Sequence, residues 1–157
     1  MTTPKFILEL REKVGQDLLW LSGITAVVLD DREQVLLVRR ADDGRWSLPA
    51  GILEPGEQPA VAIVREVFEE TAVHAVVDRL VSIESLPPST YPNGDQVQYL
   101  DLCFRLHPTG GEARVNDDES VEVGWFPLTD HPTLTPREQT CLRNARSDNP
   151  LPIYTTS

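Results

Sequence analysis

The stretch "GILEPGEQPAVAIVREVFEETAV", residues 51–73, decides how the chain is read. It opens as a turn broken by glycine and proline, and at Pro59 it switches to helical periodicity. Pro59 suits a first helical turn, where its missing N–H is not needed. Ala60, Ile63/Val64, Val67 and Thr71 fall on one stripe, so the spacing predicts a helix over 59–71 docked against a core. Glu66, Glu69 and Glu70 are expected to stand away from that stripe, three and four positions apart and therefore neighbours on the helix surface.

Like charges so placed cost about 0.2–0.5 kcal/mol per pair in an isolated helix, so the cluster does not serve helix stability. Two readings compete. One is an acidic face in water. The other is an oxygen-rich ligand site, to which Glu57 adds a carboxylate near the helix start while Gly51 and Gly56 allow close backbone approach. Such a set suits Mg2+ or Mn2+, which need few protein ligands because they keep waters and take oxygens from phosphates.

The 157 residues, 40% hydrophobic and 25% charged, are expected to form one domain over 1–157 with a substantial apolar core. No apolar run reaches the roughly 18 residues of a membrane span, so no membrane partner is expected. The beginning, "MTTPKFILELREK", carries charges within its apolar portion and does not read as a signal peptide. Cys103 and Cys141 form no CxxC pair, and Cys103 sits in the apolar run "YLDLCFRL", where a buried thiol is expected. Neither a disulfide framework nor a cysteine metal site is read, and a cytoplasmic location is the default expectation. The net charge of −11, from 25 acidic and 14 basic residues, disfavours long nucleic acid as a partner. A small polyanion would need metal ions or a local arginine cluster to reverse the field.

Outward from the box, "GITAVVLD" and "QVLLVRR" read as strands joined through the polar turn "DDREQ". "KFILELREKVG" offers either a helix or a strand at 4–14. "AVVDRLVSIESL", "QVQYLDLCFRLHP" and "SVEVGWFPL" are further strands, with Asn93-Gly94 as a turn signal. "TPREQTCLRNA" is a terminal helix with Thr135 as N-cap and Pro136 in its first turn, and an irregular tail is expected from 147. Strands on both sides of a helix, plus a second helix, argue for an α/β domain around a mixed sheet.

Residues 51–73 resemble the signature box of the Nudix hydrolases. Gly51, Glu57, Arg65, Glu66, Val67, Glu69, Glu70 and Val73 fall on the box positions, and Ala72 departs from the usual glycine. The resemblance extends over roughly residues 20 to 145 and implies an α/β/α sandwich around a mixed β-sheet, MutT-like in kind. It further implies a Mg2+- or Mn2+-dependent enzyme that cleaves the pyrophosphate linkage of a nucleoside diphosphate-linked small molecule. A nucleoside triphosphate, ADP-ribose and a nucleotide sugar all fit that description. By resemblance, Glu66, Glu69 and Glu70 are metal ligands, the Gly51 carbonyl is a further one, and Arg65 and Glu57 orient the glutamates. The alternative is a Nudix-like nucleotide-binding or regulatory domain without turnover, which Ala72 keeps open: a left-handed alanine costs roughly 1–2 kcal/mol, or the turn changes shape. A third reading is an interaction domain with an ordinary acidic surface.

The loop "NDDESVE" supplies Asp117, Asp118, Glu119 and Glu122, of which Glu119 is the candidate for an additional metal ligand or general base. For substrate, Arg39 and Arg40 are candidates to grip phosphate, Trp46 to stack on a base and Tyr99 to line a cleft. Trp20 and Trp125 are expected in the core or at an interface. The histidines show no ligand spacing, and neither a GxSxG nor a P-loop setting is present. The apolar patches "FILEL" and "LLWL" either support a homodimer or complete the monomer core.

Overall fold

The computed structural model describes residues 3–157. In chain order the elements are α1 (Lys5–Val14), β1 (Leu19–Val28), β2 (Gln34–Arg40), β3 (Trp46–Ser47), β4 (Ala50–Ile52), α2 (Pro59–Thr71), β5 (His74–Ser85), β6 (Ser89–Thr90), β7 (Gln96–Gly110), β8 (Ser120–Pro127) and α3 (Pro136–Arg146). A five-stranded sheet runs β4-β1-β7-β5, with β6 pairing β7, and a three-stranded sheet runs β3-β2-β8. β1 and β7 are parallel, from Leu19 opposite Val97 to Val28 opposite Leu106, while the other pairings are antiparallel.

The near-continuous apolar run of β1 follows from burial on both faces, as expected of a parallel strand inside a sandwich. Ile24, Ala26 and Val28 pack with Leu36, Phe104 and Leu106 against Ala62, Ile63 and Val67 of α2. The alternate residues Val27 and Leu29 pack with Val35, Leu37 and Cys103 against Cys141, Leu142 and Ala145 of α3. Side chains that alternate across a strand thus place one helix on each side. The result is the α/β/α sandwich around a mixed sheet that the family resemblance implied.

Several expectations meet particular outcomes. The segment at 4–14 is a helix, and Thr135 caps α3 in a reciprocal capping box with Glu138. The apolar patches divide: Ile7 and Leu21 join a core cluster with Ile52 and Val97, while Leu8, Leu10, Leu18 and Trp20 are exposed. Trp20 is therefore not a core residue of this chain. The tail from 147 is irregular except at Ile153, whose N–H donates to the Val81 carbonyl and whose carbonyl accepts from Ile83. The buried stripe of α2 is also shifted from the sequence reading. Ala60 is exposed, and Glu70 joins Ala62, Ile63, Val67 and Thr71 on the buried side because it lies one helical turn beyond Val67.

Ala72 holds the left-handed geometry that glycine would take, with φ 60° and ψ 13°, and its N–H donates to the Phe68 carbonyl at 2.8 Å. Gly111 packs tightly over this turn, where a Cβ built at 111 would stand 2.3 Å from the Ala72 carbonyl oxygen. Alanine here carries strain of roughly 1–2 kcal/mol. Ala72→Gly is expected to stabilise the protein by about 1 kcal/mol, raising the melting midpoint by about 2–4 °C in a thermal melt. A lower midpoint would mean that the buried alanine methyl contributes more than the backbone strain removes.

Candidate active site

The turn between β4 and α2 is closed on itself. Glu57 donates its N–H to the Glu54 carbonyl at 3.1 Å and accepts the Glu54 N–H on Oε2 at 3.0 Å. Its other oxygen, Oε1, accepts from Arg65 Nη2 at 2.8 Å. Arg65 is the hub of the cluster: its Nη1 donates to Glu69 Oε2 at 3.0 Å and lies 3.2 Å from Glu66 Oε1. One guanidinium, with its planar fork of donors, thereby fixes three carboxylates relative to one another.

Gly51 shows why this approach needs glycine. A Cβ built there would stand 2.5 Å from Glu66 Cδ and 2.7 Å from its Oε1, so the Glu66 carboxylate occupies the space a side chain would fill. Gly51 and Glu66 form one wall of an open cleft of about 420 Å3, whose far side is the loop Asn116–Glu119. Glu69 faces the same cleft with its side chain half exposed. Glu70 lies deeper, only 4% exposed, against a smaller cavity of about 50 Å3 that Ala50, Arg40 and Glu119 share.

The electrostatics follow from this crowding. Burial pushes the Glu66 carboxyl up to about 7, opposed by Arg65 and reinforced by Glu69 and Glu119. Burial also raises Glu70 well above the ordinary range, with Glu66, Glu119 and Asp117 adding repulsion and a backbone hydrogen bond from Ala50 opposing it. Asp117 is raised in turn, mainly by burial. Among the described residues, no group of three His, Cys, Asp or Glu side chains is already drawn together as a closed metal cluster. The donors fit a hard divalent ion nonetheless: they are carboxylate oxygens, they repel one another, and they border a cleft open to water and phosphate.

The remaining candidates divide. Glu119 reaches the cleft, with its N–H donating to Asp117 Oδ1 at 3.1 Å and its carbonyl accepting from Ala41 at 2.9 Å. Arg40 lines the cavity beside Glu70, held by Asp42 through Nε at 2.9 Å and Nη2 at 2.5 Å. Arg39 is not brought there: it faces its cross-strand partner Glu122 at 2.8 Å and donates to the Gly44 carbonyl at 3.0 Å. Trp46 is not brought there either, since it packs edge-on against Phe126, centroids 4.8 Å apart, on the α3 side of the core. Tyr99 lines a separate cavity that also borders Gly51. Sequence reading missed Asn116, whose Nδ2 donates to the Phe68 carbonyl at 3.0 Å beside the cleft. It also missed Asp101, a buried carboxylate whose one signal was its charge within "YLDLCFRL".

The raised Glu66 carboxyl fixes the sign of a pH effect on the metal-free protein. It ionises near 4.5 when unfolded and near 7 when folded, so between these values the folded state holds more protons. Its contribution is fully present below about pH 4.5 and is lost as pH rises through 7. The loss is at most about 3 kcal/mol, reduced by solvent screening. In EDTA, Glu66→Gln is expected to melt closest to wild type near pH 5 and progressively above it by pH 8. A gap that does not widen between those pH values would contradict the raised carboxyl.

A family model described as the NUDIX domain matches residues 20–145. The chain is 36% identical over 116 residues to the 8-oxo-dGDP phosphatase NUDT18 of Homo sapiens, covering 70% of this chain and 33% of that protein. It is 37% identical over 104 residues to a MutT-like protein of Streptomyces ambofaciens, covering 66% of this chain and 62% of that one. Among solved structures, an ADP-ribose pyrophosphatase from Streptococcus suis 89-1591 superposes with a TM-score of 0.63 at 26% identity, covering 84% of this chain and 96% of that chain. The chain thus spans a third of the length of the human relative and less than two thirds of the Streptomyces one. With the box on α2 and the sandwich around it, the chain belongs to the NUDIX family.

Proposed function

We propose that this chain is a divalent-metal-dependent pyrophosphohydrolase that cleaves the diphosphate linkage of a nucleoside diphosphate derivative. The observation that carries the reading is the docking of α2, which forces Glu66 and Glu70 into low-dielectric surroundings beside an open cleft, where Arg65 offsets Glu66 and Arg40 beside Glu70 is held by Asp42. That arrangement is costly for the protein alone and becomes favourable with a cation. The names of two similar proteins, an 8-oxo-dGDP phosphatase and an ADP-ribose pyrophosphatase, support the same substrate class. A nucleoside triphosphate, ADP-ribose and a nucleotide sugar are its members here. Two free, buried cysteines accord with a reducing, cytoplasmic setting, and the exposed Leu8, Leu18 and Trp20 offer a homodimer contact.

In this reading Glu66, Glu69, Glu70 and the Gly51 carbonyl hold Mg2+ or Mn2+, and Glu119 adds a ligand or serves as general base. The bound ion supplies Lewis-acid polarisation of phosphoryl oxygen and lowers the pKa of water. Arg65 keeps Glu66 and Glu69 in register, and Glu57 keeps Arg65. As general base, Glu119 accepts a proton from the attacking water; the new P–O bond forms at one phosphorus as the bridging P–O bond breaks. Arg40 sits where exchange of Asp42 for a phosphate oxygen would anchor the chain of phosphates.

The test is turnover of a panel of nucleotides with Mg2+ or Mn2+, with products identified by mass. Arg65→Gln is expected to lose about 10–100-fold in kcat/KM, and Glu69→Gln and Glu70→Gln more than that. Gly51→Ala, whose Cβ would stand 2.5 Å from Glu66 Cδ, is expected to lose activity through displacement of that carboxylate. Wild-type binding of nucleotide without turnover, unaltered by Glu69→Gln and Glu70→Gln, would instead establish a binding module.

A further inference from the structure

Glu138, in the first turn of α3, is only 7% exposed and lies on the far side of the sheet from the carboxylates of α2. A capping box asks one thing of such a residue, that it reach back to the N–H of the cap. Its Oε2 meets that demand, accepting the Thr135 N–H at 3.0 Å and the Thr135 hydroxyl at 2.8 Å. Arg45 Nη1 donates to the same oxygen at 2.8 Å. Oε1 takes no part in the cap. It accepts the N–H of Leu48 at 3.1 Å, from a residue ninety positions away in sequence. One half of a buried carboxylate thus holds a different part of the chain.

That part of the chain leads to the candidate metal ligands. Leu48 is 2% exposed, so its N–H is cut off from water and needs an acceptor. Two residues on, the Ala50 backbone gives Glu70 its hydrogen bond, and Gly51 follows, against which Glu66 packs. Between them the Pro49 carbonyl accepts from Ala26 of β1 at 2.8 Å. Leu48, Ala50 and Glu70 line one small cavity together with Arg40 and Glu119. The Arg45 arm arrives at the same cavity by another route. The Arg45 carbonyl accepts from the Arg40 N–H at 2.9 Å, and the adjoining Ala41 N–H donates to the Glu119 carbonyl at 2.9 Å. Arg45 is shared with Asp43, whose Oδ2 lies 3.8 Å from its Nε, which leaves the Leu48 arm as the direct one.

We propose that Glu138 is a positioning residue for the carboxylate site, its Oε1 fixing the backbone of residues 48–51 against Glu70 and Glu66, a role that rests on the reading of those carboxylates as ligands to a divalent cation. Glu138→Gln separates the two halves of the role. Oε2 faces the donors of Arg45 and Thr135, so the amide oxygen turns to them and preserves the cap, which glutamine also serves. The NH2 then faces the Leu48 N–H, donor against donor, and residues 48–51 lose their anchor. Thr135→Ala is the converse: it removes the capping hydroxyl and leaves the bond to Leu48 in place.

Mn2+ binding followed by electron paramagnetic resonance, and amide exchange of the metal-free protein followed by NMR, test the assignment, with a thermal melt of each variant. Glu138→Gln is expected to bind Mn2+ about tenfold more weakly than wild type. Its Leu48 and Ala50 amides are expected to exchange about tenfold faster or more, measured against the amides of β1. Thr135→Ala is expected to lower the melting midpoint by about 2–4 °C and to leave both other readouts at wild-type values. Should Glu138→Gln fail to fold, Glu138→Asp, one methylene shorter and still ionised, withdraws from Leu48 and carries the test. Wild-type Mn2+ affinity in the Glu138 variant, or equal weakening in Thr135→Ala, would overturn the proposal. Unchanged Leu48 and Ala50 amides would overturn it whether or not wild type takes up Mn2+. No Mn2+ uptake by wild type, beside amides that exchange faster only in the Glu138 variant, would remove the metal-site reading and leave this tie standing.

Discussion

The structure turns on the burial of acidic side chains along one flank of α2. Ala62, Ile63, Val67 and Thr71 seat the helix against the sheet, and the same face carries Glu70 down to 4% exposure. A charge taken from water to such a place is expensive unless hydrogen bonds or opposite charge replace the lost hydration. The Ala50 backbone gives Glu70 one such bond, and Arg65 serves Glu57, Glu66 and Glu69 at once. Helix docking and repulsion within the cluster therefore oppose one another. A divalent cation in the cleft would relieve that opposition, linking the stability of the fold to its chemistry.

The sandwich is what makes this possible. β1 alternates between the two helices, so every second residue belongs to the α2 core and the others to the opposite face. β4 applies the same alternation at the edge of the sheet: Gly51 meets Glu66, while the adjacent Ile52 joins the cluster under α1. A three-residue strand thus separates two cavities and contributes to both. The strained left-handed turn at Ala72 ends α2 at the place where glycine is usual, so the departure in the box leaves the path of the helix intact.

How much of this was legible follows from the range of each interaction. The helix over 59–71 was readable because its signals are local: a proline at the start, a stripe of period 3.6 and a fixed carboxylate spacing. The burial of Glu70 was available from that same period but masked by its charge. Arg39 and Arg40 could not be separated, since one faces Glu122 only through the register of β2 on β8. Trp46 likewise went to the core through its contact with Phe126, eighty positions away in sequence. The reach of Glu138 to Leu48 needed the packing of α3 beside the turn before β4, which has no local signature.

The central claim is that the carboxylates of α2 hold a divalent cation. Titration of the metal-free protein with Mn2+ at pH 8, with free ion followed by electron paramagnetic resonance, tests it most directly. The account predicts saturable uptake by wild type that is weakened about tenfold or more in Glu70→Gln while the variant stays folded. Uptake that is absent even with nucleotide present, or that is the same in Glu70→Gln, would contradict it.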